Sequence, residues 1–180
     1  MTTMSSTPRA AMSPSLRTPR LNLHTFTADD TGELHALFAD PETNTVGAGP
    51  FAARRATERW IAHRVAAERD HGLCWYALRC SRTGLLIGNC GMFKGRTGAE
   101  EPEIGYMIRA AQRGRGYAAE AAAAVLQEGR AAGLRRVWAT IRQHNIASRH
   151  IVTRLGMHVD HTENDEKGEL LFYLIDVRTR

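Results

Sequence analysis

Apolar positions recur along the chain in two periods, and the switches between them divide it into elements. From Leu16 to Thr25, Leu21, Leu23 and Thr25 alternate with their neighbours, which reads as one strand. Thr27-Ala-Asp-Asp30 has the spacing of a helix start in which a hydroxyl and a carboxylate cap each other, so a helix is expected through Phe38, ending before Asp40-Pro41. Turn residues crowd the stretch from Pro41 to Pro50. A second helix is expected over Thr57–Arg69, with Trp60, Ile61 and Val65 on one side and Gly72 as its stop. Leu73–Arg79 and Leu85–Phe93 read as strands joined by Ser81-Arg-Thr-Gly84. A glycine-containing excursion, Lys94 to Pro102, leads into a central strand, Glu103–Ile108. The alanine-rich run Tyr117–Ala132 is a strong helix ended by Gly133. Arg136–Arg142 is a short strand, Asn145–Leu155 a helix closed by Gly156, and strands near Met157–Thr162 and Leu170–Val177 finish the chain.

Strands in runs, with helices inserted between them, indicate an α+β (mixed α/β) fold and not a doubly wound parallel sheet. The 180 residues suit a single domain over 16–180, preceded by a Ser/Thr/Pro-rich tail, 1–15, that reads as mobile and lacks the apolar segment of a secretory signal. No apolar run approaches the ~20 residues of a membrane helix. Hydrophobic residues at 43% and charged residues at 24% allow an ordinary core. Cys74, Cys80 and Cys90 form no C-x-x-C pair, and an odd, unframed set reads as reduced thiols in the cytoplasm.

The net charge of +5 changes the picture slightly. It suits a polyanionic ligand but lacks the clustered stripe of a nucleic-acid binder, so nucleic acid is not the expected partner. Lysine occurs only at Lys94 and Lys167, an arginine-rich usage that points to a GC-rich bacterial genome.

Chemistry concentrates between Ile104 and Glu120, where a strand, a glycine-spaced loop and an alanine-rich helix follow one another. Helix N-termini leave backbone N–H groups unpaired and carry partial positive charge. Gly114 and Gly116 lack Cβ atoms, so the backbone can close around a pyrophosphate, with Arg113 and Arg115 adding charge. A solvated basic turn capping a helix would use the same residues, and the loop alone does not separate the two readings.

Its surroundings do. Arg113-x-x-Gly116-x-Ala118 resembles the Q/R-x-x-G-x-G/A acetyl-CoA signature of the GNAT acetyltransferase superfamily. Thr18-Pro-Arg-Leu-Asn-Leu23, Gly84-Leu-Leu-Ile-Gly88, Glu103-Ile-Gly-Tyr106, Asn145-Ile-Ala-Ser148 and Leu155-Gly156-Met157 resemble, in order, segments of its RimJ/RimL branch of ribosomal-protein alanine acetyltransferases. The resemblance covers Leu16 to Val177. It implies a curved, mostly antiparallel sheet with helices on both faces, splayed between the fourth and fifth strands to hold acetyl-CoA. By that match Arg113, Gly114, Arg115, Gly116, Tyr117 and Ala118 fall at the pyrophosphate, Met107, Ile108 and Arg109 along the pantetheine arm, and Asn145 on its other side.

Direct amine acetylation needs a base, a polarised thioester carbonyl and a proton for the leaving thiolate. An alkylamine titrates near ~10 and an α-amine near ~7.7–8.0, so an α-amine needs less help. The resemblance implies Glu103 as base, acting through water, and Ser148 as the thiolate's proton donor. Glu103 could equally be a solvated strand-edge acid, and Ser148 an ordinary first-turn residue after an Asn145 cap. His144 and His150 flank the same helix start, and a histidine base stays open. His158-x-x-His161 falls on opposite faces of a strand and lacks further ligands, so no metal is expected. The implied partner is an amine acceptor: a protein N-terminus in this branch, or a small amine such as an antibiotic, polyamine or amino acid. A non-catalytic acetyl-CoA-binding module is a third reading, and dimers are common in the branch.

Overall fold

A computed structural model describes residues 9–45 and 49–178. Eight strands form one sheet in the order β1-β2-β3-β4-β5-β6-β8-β7: β1 Ser15–Arg17, β2 Leu21–Thr25, β3 Trp75–Cys80, β4 Leu86–Gly95, β5 Gly98–Ile108, β6 Arg136–Arg142, β7 His158–Asp165 and β8 Gly168–Asp176. Every neighbouring pair is antiparallel except β5 and β6. Four α-helices complete it: α1 Thr31–Ala39, α2 Arg54–His71, α3 Tyr117–Ala131 and α4 Ile146–Arg154.

Alternation along β3 shows how the sheet divides the core. Trp75 and Ala77 join Phe26, Leu34, Phe38 and Ile61 beneath α1 and α2. Tyr76 and Leu78 point the other way, into a larger cluster with Ala121, Val125 and Leu126 of α3 and Val152 of α4. Small residues let the backbone come close where the layers are tightest. A Cβ on Gly91 would meet the backbone of Cys74 and Trp75, and one on Gly105 would lie 2.8 Å from the Trp75 ring.

The expected elements hold with four differences. The strand expected over 16–25 is a hairpin, β1 against β2, because Thr18 and Pro19 turn the chain and Thr18 bonds back to Leu21. The splay expected between the fourth and fifth strands therefore lies between β5 and β6. The excursion from Lys94 to Pro102 is a tight turn at Arg96-Thr97, with Gly95 paired to Gly98, so Glu103 sits inside β5 and not at its start. On α2 it is Arg64, not the exposed Val65, that turns inward with Trp60 and Ile61. Residues 1–8 of the expected tail lie outside the described residues, whereas 9–15 pack onto the domain. Met12 is in the core, its N–H donates to Gly72 and Ser13 N–H to Glu128. Among the described residues no helix is long and apolar enough to cross a membrane.

Glu120, in the first turn of α3, ties the N-terminal hairpin to the helix. It accepts from Thr18 Oγ1 (2.6 Å), Arg20 N–H (3.0 Å) and Arg20 Nε (2.6 Å). Burial pushes its carboxyl up, but these hydrogen bonds outweigh burial and leave it below the usual range. A depressed folded value gives stability that is present above the unfolded pKa, near ~4.3, and lost as pH falls through the folded one. Glu120→Gln should therefore destabilise the chain by about 1–2 kcal/mol at pH 7, with the difference from the parent shrinking below about pH 4, read by urea denaturation across pH.

Candidate active site

β5 and β6 pair at Glu103 and Trp138 and nowhere beyond. From there Ile104–Ile108 and Ala139–Arg142 diverge, and the facing edges open a wedge in the sheet. Two cavities of about 470 Å³ each adjoin it. The first runs from the end of β5 at Tyr106–Ile108 along the N-termini of α3 and α4; the second takes in both edges of the wedge and opens between the turn at Arg96 and the turn at Lys167. Thr45, Tyr106, Asn145 and Ser148 line both, so the cavities meet at these four residues.

The loop before α3 offers a set of backbone donors suited to an anion. Gly114 and Gly116 have φ of +74° and +80°, the left-handed region that glycine enters without strain. A Cβ at Gly114 would meet nothing within 4 Å, so the loop's surface there is open. Among the described residues, no hydrogen bond uses the N–H of Gly114, Arg115, Gly116, Tyr117, Ala118 or Ala119. Six donors at one helix start, beside Arg154 and His150 of the facing helix, fit a pyrophosphate. Arg113 serves differently from the expected phosphate contact. Its guanidinium donates to the carbonyls of Ile108 (3.1 Å), Glu42 (2.9 Å) and Thr43 (2.6 Å), and so fastens the segment after α1 to the loop.

The opposite wall is the start of α4. Asn145 caps it, its side chain accepting from Ser148 N–H at 3.1 Å. Tyr106 reaches across from β5 and donates to the carbonyl of Ser148 at 3.3 Å. Burial pushes the Tyr106 phenol up to about 12, with the Ser148 side-chain hydroxyl opposing it, so the group keeps its proton through neutral pH.

Glu103 is 1% exposed and lines neither cavity. One carboxylate oxygen accepts from Arg96 N–H (2.5 Å), the other from Thr140 Oγ1 (2.7 Å). Its carboxylate fills the space that a side chain at Gly95 would take. Both partners, Arg96 and Thr140, do line the second cavity, so the carboxylate reaches that cavity through Thr140. The solvated strand-edge reading of Glu103 does not hold.

Of the residues expected at the cofactor, Met107, Ile108, Arg113, Gly114, Gly116, Tyr117, Ala118 and Asn145 line the first cavity. Arg109 and Arg115 do not. Arg109 N–H is taken by the carbonyl of Ile87 at 2.8 Å, and Arg115 is exposed, with its carbonyl accepting from Arg20. Sequence reasoning missed Tyr106, Thr43, Thr45, Arg96, Thr140 and Lys167. Tyr106 was within reach, standing in the Glu103-Ile-Gly-Tyr motif, but the others come from turns and strand faces without a distinctive pattern. His161 stacks on Phe172 at 4.2 Å between centroids and lies beside Asp160, and no group of three or more metal-ligating side chains is found among the described residues.

Comparison with known proteins supplies the family. Residues 20–158 match a family model described as an acetyltransferase (GNAT) domain. An uncharacterized protein of Bacillus subtilis (strain 168), YkkB, is 32% identical over 152 residues, covering 82% of this chain and 87% of the relative. A GnaT-family acetyltransferase of Bordetella pertussis, itself described as putative, superposes with a TM-score of 0.80 at 22% identity, covering 93% of this chain and 100% of that one. RimL, a ribosomal L7/L12 alpha-N-protein acetyltransferase solved with coenzyme A, superposes with a TM-score of 0.75 at 14% identity over 88% of this chain and 95% of its own.

Proposed function

This chain belongs to the GNAT acetyltransferase family, and from that premise we propose that it moves the acetyl group of acetyl-CoA onto the α-amine of a protein N-terminus. Acetyl-CoA-dependent transfer to an amine is the family's chemistry; the acceptor is our own reading. The observation that carries it is the indirect placement of the base. Among the described residues no carboxylate lines the cavity that opens away from the glycine loop, and Glu103 reaches it through the Thr140 hydroxyl. Such a relay can draw a proton from an α-amine titrating near ~7.7–8.0, much of which is already neutral at physiological pH. It is poorly matched to a lysine side chain near ~10.4. The fold shared with RimL supports the same acceptor class.

In this reading the N–H groups of Gly114 to Ala119 hold the pyrophosphate, and the pantetheine arm lies in the wedge along Met107 and Ile108. Thr140 accepts the amine's proton, directly or from one water, while passing its own to Glu103. The amine nitrogen bonds to the thioester carbon, the C–S bond breaks, and the departing sulfur takes a proton at the junction of the cavities. Ser148 and Tyr106 are the groups there. Tyr106 stays protonated at working pH, so Tyr106→Phe should lower kcat by about tenfold, and Ser148→Ala by less. Stopped-flow thiol release, with the KM for acetyl-CoA as a control for binding, measures both.

A thiol-release assay with acetyl-CoA tests the acceptor. N-terminal peptides should turn over at least tenfold faster, in kcat/KM, than the same peptides blocked at the N-terminus and carrying a free lysine. Faster turnover of the lysine peptides, or of polyamines, would replace the α-amine reading.

A further inference from the structure

The second cavity has a one-sided electrostatic character that the transfer reaction does not require. Two hairpin tips stand on either side of the wedge: the β4–β5 turn carries Arg96, and the β7–β8 turn carries Lys167. Arg142 adds to the same wall from the end of β6, and among the described residues no Asp or Glu lines the cavity. Arg142 is balanced, because Asp165 holds it with two contacts of 2.7 Å, and that pairing lowers the Asp165 carboxyl to about 2. Arg96 and Lys167 have no such direct contacts, although Arg96 lies near enough for Asp165 to feel its charge. Among the described residues neither has an ion-pair partner.

These cations stand apart from the proposed pyrophosphate site. The glycine loop and Arg154 line the other cavity, and the two meet only at Thr45, Tyr106, Asn145 and Ser148. A cationic acceptor would meet like charge at the mouth, whereas a carboxylate close to the reacting amine would find two unpaired cations. Resting on the α-amine reading above, we propose that Arg96 and Lys167 select an acidic acceptor: a chain whose free α-amine is followed within the first few residues by aspartate or glutamate.

Both residues sit in two-residue turns, and the contact that Arg96 makes to Glu103 is through its backbone N–H, so side-chain changes leave that bond intact. The test uses three peptides alike except at positions two and three, bearing Asp-Glu, Asn-Gln or Lys-Lys, with free aspartate as a fourth acceptor. For the parent enzyme, kcat/KM for the acidic peptide should exceed that of its amide by about tenfold, chiefly through KM, and the advantage should shrink at 0.5 M salt. Arg96→Glu/Lys167→Glu should cancel or reverse the order while leaving the KM for acetyl-CoA in place. Free aspartate turning over as well as the acidic peptide would mean that the cations read an α-carboxylate, overturning the peptide assignment. Equal rates for acidic and neutral peptides, or an unchanged order in the double variant, would overturn the proposal while leaving α-amine transfer standing. Should no acceptor release thiol, the α-amine reading fails, and calorimetry of the same peptides on the CoA-loaded protein still decides whether the acidic one binds more tightly.

Discussion

Gly116→Val should weaken coenzyme A binding by about 100-fold while the domain stays folded. Gly116 has φ of +80° immediately before α3, a conformation that a β-branched residue adopts only with strain of roughly 1–2 kcal/mol. The loop relieves that strain by turning, and the N–H groups of residues 116–118 then lose their common aim. Losing one or two hydrogen bonds to a charged phosphate, each about 1.5–3 kcal/mol, gives roughly the two orders of magnitude expected. Gly84→Val is the control: Gly84 has φ of +72° and nothing within 4 Å of its would-be Cβ, in the turn between β3 and β4. It carries comparable backbone strain and should leave the calorimetric Kd for coenzyme A unmoved. Equal affinity in Gly116→Val and the parent would remove the cradle from the mechanism.

Glu103→Gln should lower kcat/KM by about 100-fold at pH 6.5, the range of a lost general base, and by far less at pH 9. With Glu103 intact, the relay accepts the amine's proton and the rate holds up below the amine's own pKa. Without it, only amine that is already neutral reacts. The rate should then climb about tenfold per pH unit until it levels near ~7.7–8.0 for an α-amine. Thr140→Val should reproduce this profile, because it removes the hydroxyl that links Glu103 to the cavity. A parallel loss at every pH in both variants would instead mark Glu103 as a brace for the Arg96 turn.

Much of this site is legible in the chain because its parts obey local rules. Gly114 and Gly116 are needed for their backbone angles, and the alanine run after Tyr117 has little choice but to be helical. Asn145 caps α4 through the contact its position suggests. β6 falls at Arg136–Arg142, where a short strand was expected. What was hidden depends on tertiary context. Gly95-Arg-Thr-Gly98 reads as an excursion, and only its pairing with the long strands on either side reveals a tight hairpin. That pairing decides that Glu103 is buried at mid-strand. Arg64 was overlooked because a helix normally buries its apolar side chain; here a guanidinium lies over Trp60, Trp75 and Phe93, at 4.8, 4.2 and 5.2 Å from the ring centroids. The wall residues Thr43 and Thr45 come from a turn-rich segment whose sequence constrains its path very little.

The fastening made by Arg113 joins two events that would otherwise be separate. Thr43 is held twice, its carbonyl by the Arg113 guanidinium and its hydroxyl by the N–H of Ala110. Two residues further on, Thr45 forms part of both chambers. On the proposed reading, nucleotide held at the glycine turn is tied through Arg113 to the rim of the second cavity. By thermodynamic reciprocity, an acceptor that settles against that rim tightens the grip on the nucleotide by the same factor. On that reading a single arginine is the link through which the two ligands would be coupled.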